Sequence, residues 1–294
     1  MQTALLLSVV APGVTIAILL GLVAATRRSQ GGLASVLGAF MAPVAAFAAY
    51  VPVRGVPELP PGDASVWSLW MGWGASLISA LGAGAWFPKG LRWSMLAAWA
   101  AATAYLVAGP LLQGSGFGTC ALLVFGTTAG VFAVGWTLET RASLLPGPAL
   151  ALSLSVLSGG AATVLGTSGT ALLAQVAGGV SVAWGVLFLF TLWRRELPFR
   201  LAMGPSMLLL GGLLLGGSCY AEVGVPAVLV LSAGAFLLGV LPLKGALRSP
   251  MLSALTLAST AAVASLAAVA SGFLPAPQAE STLSEEDDHD GYDY

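Results

Sequence analysis

From Thr3 to Leu274 the chain is almost wholly apolar, Gly, Ser and Thr, and short polar hinges hold nearly all of its charge. A bilayer core about 30 Å thick needs about 20 apolar residues per helix, and such stretches recur here one after another. The chain is 57% hydrophobic and only 8% charged, against about 25% charged for a soluble domain. So few charges cannot cover the apolar surface of a water-soluble fold. The pattern predicts an all-α integral membrane protein with about ten transmembrane helices. The 38 glycines suit it, because small residues let helices approach closely in lipid.

The ten expected spans are Thr3–Ala25, Leu33–Val53, Ser65–Phe87, Trp93–Gln113, Phe117–Leu138, Pro148–Thr167, Thr170–Trp193, Leu201–Ala221, Val225–Leu243 and Met251–Leu274. No positive n-region precedes the first apolar stretch, and Arg27 and Arg28 follow it. That order predicts a retained first helix rather than a cleaved signal. The two divisions are a polytopic domain, 1–274, and an acidic tail, 275–294.

Charge sets the orientation. Arg27, Arg28, Lys89, Arg92, Arg141, Arg194, Arg195, Arg200, Lys244 and Arg248 all fall in odd-numbered hinges, and only Arg54 falls in an even one. The positive-inside rule makes the odd hinges cytoplasmic, which puts both termini outside, as expected for a bacterial inner membrane. With Glu139 and Glu196 the inner side carries +8, and Arg54 against ten acids leaves the outer side at −9. Trp86, Trp93, Trp136 and Trp193 mark inner ends and Trp67 an outer one, as amphipathic rings at headgroup level should.

Ten spans divide into five and five, and an odd-numbered repeat is inverted relative to its partner. The longest hinge of each half contains Glu-Leu-Pro, at Glu58–Pro60 and Glu196–Pro198. This sets an inverted repeat, 1–140 and 141–274, of the kind many transporters use, against chance similarity between apolar helices.

Candidate sites are few. No ionisable residue is expected at mid-span, which argues against proton relays. Gln175 is the most polar side chain expected mid-membrane, either as a ligand for a solute carbonyl or hydroxyl or as a bond to a neighbouring helix. Tyr105 is a second polar candidate. Trp70 and Trp73, with Trp67, recur every three residues, as an aromatic wall for an apolar or cationic ligand or as an interfacial anchor. Pro43 and Pro205 interrupt spans two and eight, as hinges for gating or as packing features. Gly211, Gly212, Gly216 and Gly217 after Pro205 predict one smooth helix face, read first as tight helix packing and otherwise as a gating hinge. Cys120 and Cys219 fall at similar depth near the outer side, where a disulfide would persist; the other reading is two small buried hydrophobes.

The tail acids Glu285, Glu286, Asp287, Asp288 and Asp290 suit docking on a basic partner. The single histidine, His289, lies in the same tail. There is no phosphate loop, no metal-spaced His/Cys cluster and no activated nucleophile in the apolar domain, so neither an enzyme nor a metal or cofactor is expected. A basic face for nucleic acid is absent as well. The expected partners are the lipid bilayer and other membrane subunits or further copies of the chain. Two roles remain. One is a transporter or permease for a neutral or apolar solute; the other is a non-catalytic membrane scaffold in a larger complex.

Overall fold

The computed structural model describes residues 2–26, 31–61, 63, 66–83, 87–112, 117–142, 147–193, 200–221, 223–240 and 250–272. These are 91% helical and contain no strand. The helices are α1 (Gln2–Thr26), α2 (Gly31–Ala39), α3 (Met41–Arg54), α4 (Trp67–Leu81), α5 (Lys89–Leu112), α6 (Phe117–Ala142), α7 (Gly147–Thr167), α8 (Ala171–Trp193), α9 (Met203–Tyr220), α10 (Val225–Val240) and α11 (Pro250–Gly272). A 3-10 turn, Arg200–Ala202, leads into α9. Among the described residues three stretches are long and apolar enough to cross a membrane: Gly147–Thr167, Ala171–Trp193 and Arg200–Tyr220. Leu6–Leu22, Met41–Arg54, Val225–Val240 and Leu255–Ser271 are shorter apolar helices.

The centre of the bundle is α9, which packs against α4, α6 and α5 and more lightly against α3, α7, α8 and α10. Nearly every residue from Met203 to Gly217 is buried, as a helix apolar on all sides must be. Its glycines do not form the single smooth face the spacing suggested. A Cβ at Gly212 would lie 2.6 Å from Met71 Sδ on α4, and one at Gly216 would lie 3.6 Å from Leu173 on α8. Gly211 abuts Val131 of α6, and Gly217 abuts Leu165 of α7. Each glycine admits a different neighbour, so α9 is a hub rather than a sliding surface.

Helices α7 and α8 form a tight antiparallel hairpin. Gly169 (φ +90°) takes the left-handed position that closes α7, and Thr170 N donates to Leu165 O at 3.2 Å. Along the pair, Ser155 Oγ donates to Ser181 O at 2.8 Å and Ser181 Oγ returns a bond to Ser155 O at 2.7 Å. In an apolar surrounding such hydroxyls bind helices together as well as satisfying themselves.

Expected span two is broken. Helix α2 stops at Ala39 and α3 starts at Met41, with Phe40 N bonded to Leu37 O at 3.2 Å. Pro43 supplies the reason: it has no N–H for the carbonyl of Ala39, four residues back. Ser76 of α4 donates to that carbonyl at 2.7 Å. Pro205, by contrast, lies in the first turn of α9, where no intrahelical donor is lost. The structure thus places the expected hinge residue Pro205 at the start of α9 and not within it.

The packing of the two halves matches in some pairs and differs in others: α1 pairs with α3 as α7 does with α8. Helix α11 lies along α7, yet the equivalent pair, α6 and α1, makes no comparable contact among the described residues.

Candidate functional site

Two expected span boundaries are displaced, and the displacement creates the most distinctive polar site. Span four was expected to begin at Trp93, but α5 begins at Lys89. Span five was expected to end at Leu138, but α6 continues to Ala142. Arg92 and Glu139 therefore sit inside helices, not in hinges. Both are buried, each 3% exposed. Arg92 Nη2 donates to Glu139 Oε1. Arg200 Nε lies 3.5 Å from the same oxygen, on a side chain 42% exposed.

Four elements build this corner. The stem of Arg92 crosses Gly82, the residue that caps α4, where any Cβ would collide with it. The guanidinium carbon stands 5.5 Å from the Trp93 ring centroid. Trp93 meets Phe132 and Trp136 of α6, each with centroids 5.2 Å away. Beneath it, a Cβ at Gly135 of α6 would lie 3.8 Å from the Cα of Gly204 on α9. The ends of α4 and α6 and the beginnings of α5 and α9 are thus closed by an aromatic layer with an ionic layer outside it. Two guanidiniums against one carboxylate leave a net charge of +1. Arg92 Nε is buried without a hydrogen bond. Bonded to Arg92 and with Arg200 beside it, Glu139 ties α6 to α5 and to the turn before α9.

Sequence reasoning missed this cluster because each member sits within four residues of a hinge and reads as a solvated loop charge. The available signal was Glu139 itself, one of two acids on a side with ten bases, three residues beyond Trp136.

The expected binding residues lie on three helices, Gln175 on α8, Tyr105 on α5, and Trp70 and Trp73 on α4. Gln175 is not mid-helix; it lies in the second turn of α8, about 6 Å from its start. Its Oε1 is buried without a hydrogen bond, and α8 packs chiefly on α7, α1 and α3. Tyr105 is 57% exposed on α5. Trp70 and Trp73 do come together: Phe47 stands edge-on to both, with centroids 5.5 and 5.3 Å away, and Phe40 lies 5.7 Å from Trp73. Both indole N–H groups are buried without acceptors. Cys219 is a free, half-buried thiol beside Ala104, Val107 and Leu215. The side chain of Cys120 lies outside the described residues, as do Glu285, Glu286, Asp287, Asp288 and Asp290. Among the described residues no cluster of His, Cys, Asp or Glu could hold a metal.

An interior cavity of about 50 Å³ opens between α6, α7, α9 and α10, lined by Val134, Leu157, Met207, Leu214, Leu231 and Ser232 among others. Water needs two to four polar partners to settle in a cavity, and this lining offers almost none. A larger groove, about 720 Å³, lies between α10 and α11 and is lined by Leu237, Leu255, Ser259 and Val263 among others. Neither is lined by Gln175, Tyr105, Trp70 or Trp73.

Comparison with family models, with curated proteins and with solved structures finds no match.

Proposed function

We propose that this chain is a ten-span protein of a bacterial inner membrane, with both termini outside the cytoplasm, and that it serves as a non-catalytic scaffold subunit. The membrane reading draws on the alternating hinge charges and on apolar side chains turned outward from many helices, among them Leu6, Ile18, Leu189, Leu229 and Leu266. The observation that carries the scaffold role is α9. A buried helix, in close contact with its neighbours through glycines, fills the place where a transporter of polar solutes would need a wet path. Gly-mediated contacts and an acidic tail serve assembly instead. The tail and the outward apolar faces are the surfaces left for partners.

One observation favours a second reading, a permease for a neutral or apolar solute. The small cavity beside α9 has the apolar lining such a solute would need. Extraction in mild detergent and native mass spectrometry separate the two. The scaffold role predicts a stoichiometric partner chain that is lost when Pro275–Tyr294 is deleted. A chain that runs alone, with or without the tail, overturns it and moves attention to solute flux in liposomes.

A further inference from the structure

We propose that the corner formed by the start of α5, the end of α6 and the turn before α9 binds the phosphate of an anionic lipid headgroup. Arg200 and Lys89 are the contacting residues, and Glu139, fixed by Arg92, positions Arg200. This rests on the membrane reading above.

Charge is the first support. At this corner Arg92 and Arg200 face a single described acid, Glu139, whose charge is already matched by the buried Arg92, and Lys89 stands one turn before Arg92 on α5. The excess positive charge lies on Arg200 and on Lys89, which is exposed in the first turn of α5. Residues 89 and 92 are three apart and so share a helix face.

Depth is the second. Trp136, three residues before Glu139, is 42% exposed, and Trp193, the last residue of α8, is 89% exposed. Exposed Trp rings mark the level where lipid tails give way to headgroups. Arg200 and Lys89 stand at or just beyond that level. By the charge distribution this is also the cytoplasmic side, the leaflet whose anionic lipids attract basic segments.

Preorganisation is the third. Glu139 is fixed by its buried bond to Arg92, and Arg200 Nε lies 3.5 Å from that fixed carboxylate. That ion pair draws the guanidinium toward this corner without fixing it, and the bias lowers the entropy lost on binding. The planar donors of the guanidinium match phosphate oxygens.

The test uses the full chain extracted in mild detergent and mixed with phosphatidylglycerol or phosphatidylcholine at equal concentration. Bound lipid is counted by native mass spectrometry. The wild type should retain phosphatidylglycerol in preference. Each of Arg200→Gln and Lys89→Gln should lower that preference about fivefold. Arg141→Gln should leave it unchanged, because Arg141 on the same side is engaged with Val240 O at 3.4 Å. Arg200→Lys keeps the charge and loses the planar fork, and should fall between. Inorganic phosphate alone should not displace the lipid. Three results overturn the proposal: no preference in the wild type, equal loss in Arg141→Gln, or full displacement by inorganic phosphate. A chain that enters the soluble fraction without detergent refutes the membrane reading itself, before any lipid is added.

Discussion

Replacing Glu139 with Gln removes the carboxylate and keeps the shape. The magnitude follows from burial. The Arg92 and Glu139 side chains are 3% and 4% exposed, so solvent screens their pairing very little. Losing one partner of a buried pair costs about 3–5 kcal/mol, because the other charge is left uncompensated. Arg92 is badly placed to recover, since its Nε already lacks a hydrogen bond. Arg200, 42% exposed, can turn to water, and losing its contact adds about 1 kcal/mol at most. The expected loss is about 3–5 kcal/mol, or at least about 6 °C in Tm if the scaling for soluble domains carries over. Thermal loss of the monodisperse peak in detergent measures it. The apolar pair Arg92→Met with Glu139→Leu should recover most of the loss, since neither charge then stays buried alone. A Glu139→Gln variant within 1 kcal/mol of the wild type, or an apolar pair as unstable as the single change, would refute the argument.

The remaining predictions probe packing. Ser76→Ala should cost about 1 kcal/mol by orphaning the carbonyl of Ala39. In a Pro43→Ala background, which restores the missing backbone donor, it should cost little; equal cost in both backgrounds would contradict the role given to Ser76. Gly179→Ala should destabilise by about 1–3 kcal/mol, because its methyl would stand 2.6 Å from Ala49 Cβ and 3.2 Å from Ala45 O, neither of which can swing away. Gly126→Ala should stay within about 0.5 kcal/mol of wild type or gain stability, since no atom beyond its own helix and chain neighbours lies within 4 Å of the new methyl. Melting in the same detergent ranks all of them.

The helices were legible in the sequence because long apolar segments recur between short polar hinges, and the hinge at Ser168–Gly169 is placed within a residue. Pro43 told of a break but not of its place, which the step at Phe40 fixes, nor of Ser76, which only tertiary contact brings near. The glycines of α9 pack tightly as their spacing suggested, but against several helices and not along one face, for a related reason. Spacing says which residues share a helix face, but not which helices surround it. Arg92, Glu139 and Arg200 were hidden by an uncertainty of four residues in helix ends, enough to turn a buried ion pair into loop charges. Gln175 shows the converse: a polar residue inside an apolar segment reads as central when it lies near the segment's end.

The most direct test of the membrane account is labelling with a membrane-impermeant maleimide in intact cells. The background carries Cys120→Ala and Cys219→Ala, and single cysteines replace Glu58 or Lys89, both exposed in the structure. The account predicts that Glu58→Cys reacts in intact cells and Lys89→Cys only after permeabilisation. Labelling of Lys89→Cys from outside, or of both at once, would contradict the orientation and, with it, the cytoplasmic placement of the ionic corner.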